Sequence, residues 1–182
     1  VAGTLLICDR LWHNGSIGIT TTTEQGITSP AWPARDLDGA TAGRGIMVGL
    51  EVSAVTGGGA VTNTTMRYTS SANVNTRTAT MASSPASAVA GTFVPFQLQA
   101  GDVGVKSIEG LTLGTTYVSG TMHMVAYRVL GRIGIGPERT TSKDIFQLAK
   151  PRMYNGTVPF CLWRPSTTGA CNIDASVAWT QG

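Results

Sequence analysis

The chain has 182 residues, enough for one domain around a single core, and only 13% of them are charged, thirteen Lys and Arg against ten Asp and Glu. Its basic residues are scattered from Arg10 to Arg164 without a run, so the footprint of a nucleic-acid binder is missing, and no apolar stretch reaches the roughly 18 residues of a membrane-spanning helix. Twenty-three Gly, abundant Thr and Ser, and little Lys beside Arg suit strands and turns, so the expected class is an all-β, soluble, single domain over residues 1–182.

In chain order, Thr4–Trp12 reads as a first strand and Ser16–Thr23 as a second, joined by Asn14-Gly15, a strong hairpin dipeptide when apolar runs flank it. Residues 24–44 carry two prolines with several Gly and Asp and form a long loop, the kind of segment that carries function. Ile46, Val48, Leu50 and Val52 then alternate with Met47, Gly49, Glu51 and Ser53, a half-buried strand that ends before the Gly57-Gly58-Gly59 turn. Two Thr-rich strands follow, Val61–Tyr68 and Asn75–Thr80, and Ala82–Ala90 is a small, polar loop.

Phe93–Leu98, Val103–Leu113 and Met122–Leu130 are apolar runs separated by Gly-bearing breaks, which predicts a β-meander. In the last run both alternating sets are largely apolar, so that strand is expected at the centre of a sheet with both faces covered. Thr141-Ser142-Lys143-Asp144 has the form of a capping box before Ile145, Phe146, Leu148 and Ala149, which predicts one short helix ending at Pro151. Val158–Arg164 and Ala170–Trp179 read as a closing hairpin turned by Pro165–Gly169. About ten strands with frequent turns predict a β-sandwich or jelly roll of antiparallel strands, with an open barrel as the other architecture.

Chemical motifs are weak. Gly43–Gly49 approaches a dinucleotide fingerprint, but its spacing is one residue too long and it precedes a strand, and Gly57–Gly59 lacks the Lys-Ser/Thr of a phosphate loop. His13 and His123 are the two histidines, not spaced with Cys or carboxylates as zinc ligands are, and read as local strand residues. Asp102 follows Gly101 as a turn former, and Glu109 is a surface strand charge. The expectation is therefore no enzyme, no cofactor and no metal. If the last hairpin turns at Ser166–Gly169, Cys161 faces Asp174 and Cys171 faces Arg164, which leaves Cys8, Cys161 and Cys171 as free, buried thiols suited to a reducing cytoplasm.

Ile7-Cys8-Asp9-Arg10-Leu11-Trp12-His13-Asn14-Gly15, Leu98–Ile108 (LQAGDVGVKSI), and Pro151-Arg152-Met153-Tyr154 with Val158-Pro159-Phe160 resemble a group of structural proteins encoded among the head genes of tailed bacteriophages. The likeness spans most of the chain, and its motifs are structural. It implies a virion protein made in the host cytoplasm: a capsid decoration, or cement, protein on the outside of the shell, with the major capsid protein as partner and a homo-oligomer, trimer or dimer, as its state. Members of the group have residues before the Asp-Arg-Leu segment, so an upstream arm is also implied. Trp32 and Arg35 have the aromatic and Arg character of interface contacts and are the candidate partner-contact residues, while Trp32 serves equally well as a plug into the core. The rival function is a carbohydrate- or receptor-binding module of a tail or head fibre, since the fold can present aromatics to sugars and four Trp are present.

Overall fold

The computed structural model describes residues 2–15, 17–136, 141–144, 147–148, 152–166, 176 and 178. Among them the chain is all-β, with strands β1 (Gly3–Asn14), β2 (Gln25–Gly26), β3 (Ile46–Ala54), β4 (Thr65–Ser70), β5 (Arg77–Met81), β6 (Phe93–Gln97), β7 (Val105–Thr112), β8 (Thr121–Ile135) and β9 (Pro159–Pro165). They form one antiparallel sheet in the order β2-β7-β4-β5-β6-β3-β8-β1-β9.

β8 is central, as its sequence predicts, paired along its length with β3 on one side and β1 on the other. Met122, Met124 and Ala126 join Ile46, Val48, Leu50 and Val52 of β3 in the main core, to which β4, β5, β6 and β7 contribute Met66, Tyr68, Ala79, Met81, Phe96, Val105, Ile108 and Leu111. Strands from β7 at one side of the order to β8 toward the other therefore line one core. On the opposite face of β8, Val125 and Tyr127 pack with Leu6 and Cys8, partly covered by Phe93, Phe160 and Leu162. Gly49 admits the Phe93 ring, because a Cβ at Gly49 would lie within 2.5 Å of Phe93 Cζ.

Four expectations are corrected. The three central runs do not form a meander: β6 pairs with β5 and β3, β7 with β4 and β2, and β8 with β3 and β1. The connections 98–104 and 113–120 exceed a tight hairpin loop, so each run is free to cross to another part of the sheet. Ser16–Thr23 is not a strand in its described part, residues 17–23. The Gln25 side chain accepts from the Gly18 N–H and donates to the Gly18 and Thr21 carbonyls, which folds the segment into a turn instead of a second hairpin arm. The 24–44 loop contains the two-residue β2.

The predicted helix is absent from the described residues. Asp144, not Thr141, does the capping: it accepts the Gln147 N–H on its side chain and the Leu148 N–H on its carbonyl. Ile145, Phe146 and Ala149, which the predicted helix includes, lie outside the described residues. β9 lies where Val158–Arg164 was expected, but it pairs with β1. Nearly all of its expected partner, Ala170–Trp179, and Cys171 with it, lies outside the described residues.

Candidate functional site

The 24–44 loop is held by side chains of its own. After β2, Ile27 and Ser29 donate their N–H groups to the Glu109 and Ile108 carbonyls, and the Ser29 hydroxyl accepts the Ile108 N–H, so the segment follows the edge of β7. Trp32 then turns inward. It is 2% exposed, donates Nε1–H to the Val105 carbonyl at 2.7 Å, and packs its ring 5.9 Å from that of Trp12. Arg35, 7% exposed, donates to the Arg10 carbonyl at 3.1 Å and lies with Nε 3.4 Å from Asp9 Oδ2.

Asp36 is fully buried and organises the turn beyond it, accepting the Asp38 and Ala40 N–H groups on Oδ1 and that of Gly43 on Oδ2. Gly43 is required here: its φ is +88°, and a Cβ would fall on the Val105 backbone. Both candidate contact residues are thus anchors of the loop. Trp32 plugs the core and Arg35 serves a buried carboxylate, so neither stands on the surface of the isolated chain as a partner contact would. The large hydrophobic residue that the loop exposes is Leu37, next along the chain.

Asp9 is the centre of the arrangement. It is completely buried in β1, and its Oδ1 accepts the Val158 N–H at 2.9 Å. Burial pushes its carboxyl up, against the pull of the Val158 N–H, Arg35 and Arg128, which favour the ionised form. Arg128, 3% exposed in β8, donates to the Arg152 carbonyl at 2.9 Å and lies over the Tyr154 ring, 5.2 Å from its centroid. Burial lowers its pKa, while the negative charge of Asp9 raises it. One carboxylate beside two buried guanidinium groups is a lock between β1, β8, the 24–44 loop and residues 152–158. Against it lies an open cleft of about 360 Å³ lined by Ala34, Arg152, Met153, Tyr154 and Asn155.

Neither Asp9 nor Arg128 is predicted as a site residue. The signal is present, however, since Arg128 is the one formal charge within Met122–Leu130, a run expected to be buried on both faces, where an ion needs a counter-ion. The segments quoted for the resemblance supply much of this lock: Asp9, Arg10 and Trp12 come from the first, Val105 from the second, and Arg152, Tyr154 and Val158 from the third. They stand around Trp32 and Arg35.

Other polar clusters are structural in geometry. Asp102 accepts from Tyr68 Oη and from Nε and Nη2 of Arg77, which hold its carboxyl below the usual range, Arg77 first. Arg67 bridges Glu24 and Glu109 on the surface. His13 and His123 meet edge to face at 5.7 Å, and among the described residues no group of three His, Cys, Asp or Glu is placed to hold a metal. Cys8 is buried and its thiol is pushed up to about 12, chiefly by burial, whereas Cys161 is exposed, which corrects the expectation of buried thiols for that residue.

No described helix is long and apolar enough to cross a membrane. Comparison with family models, curated proteins and solved structures finds no match to this chain.

Proposed function

We propose that the protein is a virion structural component, a capsid decoration protein whose partner is the major capsid protein on the outer face of the shell. The resemblance of three segments to phage head proteins suggests the role, and one observation supports it in three dimensions. The lock holds the 24–44 loop so that Leu37, 51% exposed, stands at the tip of a braced segment instead of a free one. The Leu37 N–H donates to the Arg44 carbonyl, Arg44 pairs with Gly104 across a β-bridge, and Gly45 donates to Val103, which is itself 61% exposed. Asp38 and Arg44 form an ion pair at the margin. An apolar centre with a charged margin on a pre-set loop has the anatomy of a docking surface, and pre-ordering lowers the entropic cost of docking.

The same role accommodates the strand order, in which β6 joins both halves of the sheet around one core, as a sheet folded over into a jelly-roll-like sandwich. The carbohydrate-binding reading has less support: Trp32 is buried, and Trp12 and Trp163 are half-buried.

The test is co-sedimentation of the purified protein with empty heads. The wild type should pellet with them, and Leu37→Asp, which leaves the lock intact, should weaken retention by about tenfold, equivalent to roughly 1.4 kcal/mol. Wild-type protein that stays in the supernatant at every head concentration sinks the proposal.

A further inference from the structure

The end of the molecule away from the Asp9 lock is made of four loops, residues 15 with 17–23, 55–64, 82–92 and 113–120. None of the thirteen Lys and Arg or ten Asp and Glu lies in them. Their described residues are bonded to one another through uncharged groups: Tyr117 N–H donates to the Ile19 carbonyl, Gly57 N–H to the Ser119 carbonyl, and Thr56 N–H to the Ala88 carbonyl. Ala88 N–H returns to Thr56 Oγ1, and Val61 pairs with Ser84. The nearest formal charges along the chain, Glu24 and Glu51, are each paired with an Arg.

From three of these loops a valine projects: Val55 is 57% exposed, and Val89 and Val118 are each 62% exposed. Val118 is held there at a conformational cost. Its φ is +66°, and the Ser119 N–H donates to the Tyr117 carbonyl at 2.7 Å across it, which closes a γ-turn of the strained kind, while its own N–H is taken by Thr116 Oγ1. A β-branched side chain in the left-handed region is strained, and such strain clusters at functional sites, where the surrounding structure over-determines the backbone.

We propose that this end is the surface through which the chain associates with a second copy of itself. In a closed homo-oligomer, residues near the symmetry axis meet their own copies, so any charged side chain there faces its own sign. An end free of formal charge avoids that repulsion altogether and can be desolvated without stranding an ion. The lock end differs, because Asp38, Arg44 and Lys106 are exposed there. Three valines on loops already bonded together supply apolar area with little left to order. The inference rests on the charge-free loops and their exposed valines alone, and it holds or fails independently of the virion role.

Sedimentation equilibrium of the full chain at about 0.1 mM tests it. The wild type should have a mass of more than one chain, unchanged between about 50 and 500 mM salt, because no ion pair is screened away. Val118→Lys and Val89→Lys, each placed near its own copy, should self-associate at least about tenfold more weakly while keeping the wild-type circular dichroism, and Leu37→Lys at the other end should leave the mass unchanged. The proposal is overturned by a monomeric wild type, by dissociation in salt, by Leu37→Lys dissociating the oligomer, or by lysine variants that associate as well as the wild type. Using two valines on separate loops keeps the test decisive should one variant fold poorly.

Discussion

The two ends of the molecule are built from loops joining many of the same strands, and they are held by different physics. At the lock end, ions do the fastening: Asp9 with Arg35 and in the field of Arg128, Asp36 with three backbone N–H groups, Asp102 with Arg77 and Tyr68. At the other end, backbone and hydroxyl hydrogen bonds fasten four loops that lack charge. The difference shows that rigidity can be had either way, but with opposite consequences for the surface. Ionic fastening surrounds its exposed apolar residues with charge, whereas neutral fastening leaves a surface free to face itself. Only the first kind depends on pH.

The sharpest way to break that comparison is to remove the ion at the centre of the lock. Asp9→Ala leaves Arg35 and Arg128 buried without their carboxylate, and breaking a buried pair from one side costs about 3–5 kcal/mol. Trp32→Ala should cost a similar amount through the cavity it opens and the lost bond to Val105. Both losses are measured by urea denaturation of the isolated protein. Wild-type stability in both variants would mean that the 24–44 loop is not fastened by the lock.

The fold was legible where the local pattern and the final environment agree. Central β8 follows from apolar residues on both alternating sets of Met122–Leu130, and β3 from strict alternation over Ile46–Ser53. Sheet order was not legible, because strand pairing is chosen by contacts far apart in the chain. Phe93 pairs with Glu51 and not with the run that follows it. Residues 17–23 look like a strand from their Ile and Thr content, yet one side chain, Gln25, offers the backbone a turn instead. Trp32 shows a different limit: a loop Trp among prolines serves a surface or a core equally well until its Nε1–H finds the Val105 carbonyl. Asp9 was hidden because most of the groups that compensate its burial, Val158, Arg128 and Thr157, are more than a hundred residues away.

A change of pH should separate the ends by a smaller effect. The carboxyl of Asp102 is depressed in the folded state, first by the Arg77 hydrogen bond and then by Tyr68. The stabilisation it contributes is therefore present above the ordinary value of 3.8 and is lost as pH falls through the lower, folded value. Asp102→Asn should lower stability by about 1 kcal/mol at neutral pH and less in acid, so that its melting temperature falls less steeply below about pH 4 than that of the wild type. Asp9 works in the opposite sense. Its raised carboxyl favours the folded state at low pH and loses that contribution as pH rises through the folded value. Parallel melting curves for the wild type and Asp102→Asn from pH 2 to 7, with no convergence in acid, would contradict the ionic account of the lock end.

The smallest effect belongs to the charge-free end and has the unusual sign. Val118→Gly removes the strain of a β-branched residue at φ +66°, roughly 1–2 kcal/mol, and adds unfolded-chain entropy worth about 0.5–1 kcal/mol. The net expectation is a gain of about 0.5 kcal/mol and a rise in melting temperature of a few degrees or less. Val89, on a neighbouring loop, is not among the residues with positive φ, so Val89→Gly has no strain to release and should lose about 0.5–1 kcal/mol through entropy alone. The pair is read by differential scanning calorimetry in conditions where the chain is monomeric, which keeps lost self-association out of the comparison. Opposite signs at two equally exposed valines isolate the backbone term. If Val118→Gly destabilises as much as Val89→Gly, the γ-turn at Val118 stores no strain, and its side chain is not held outward at a cost.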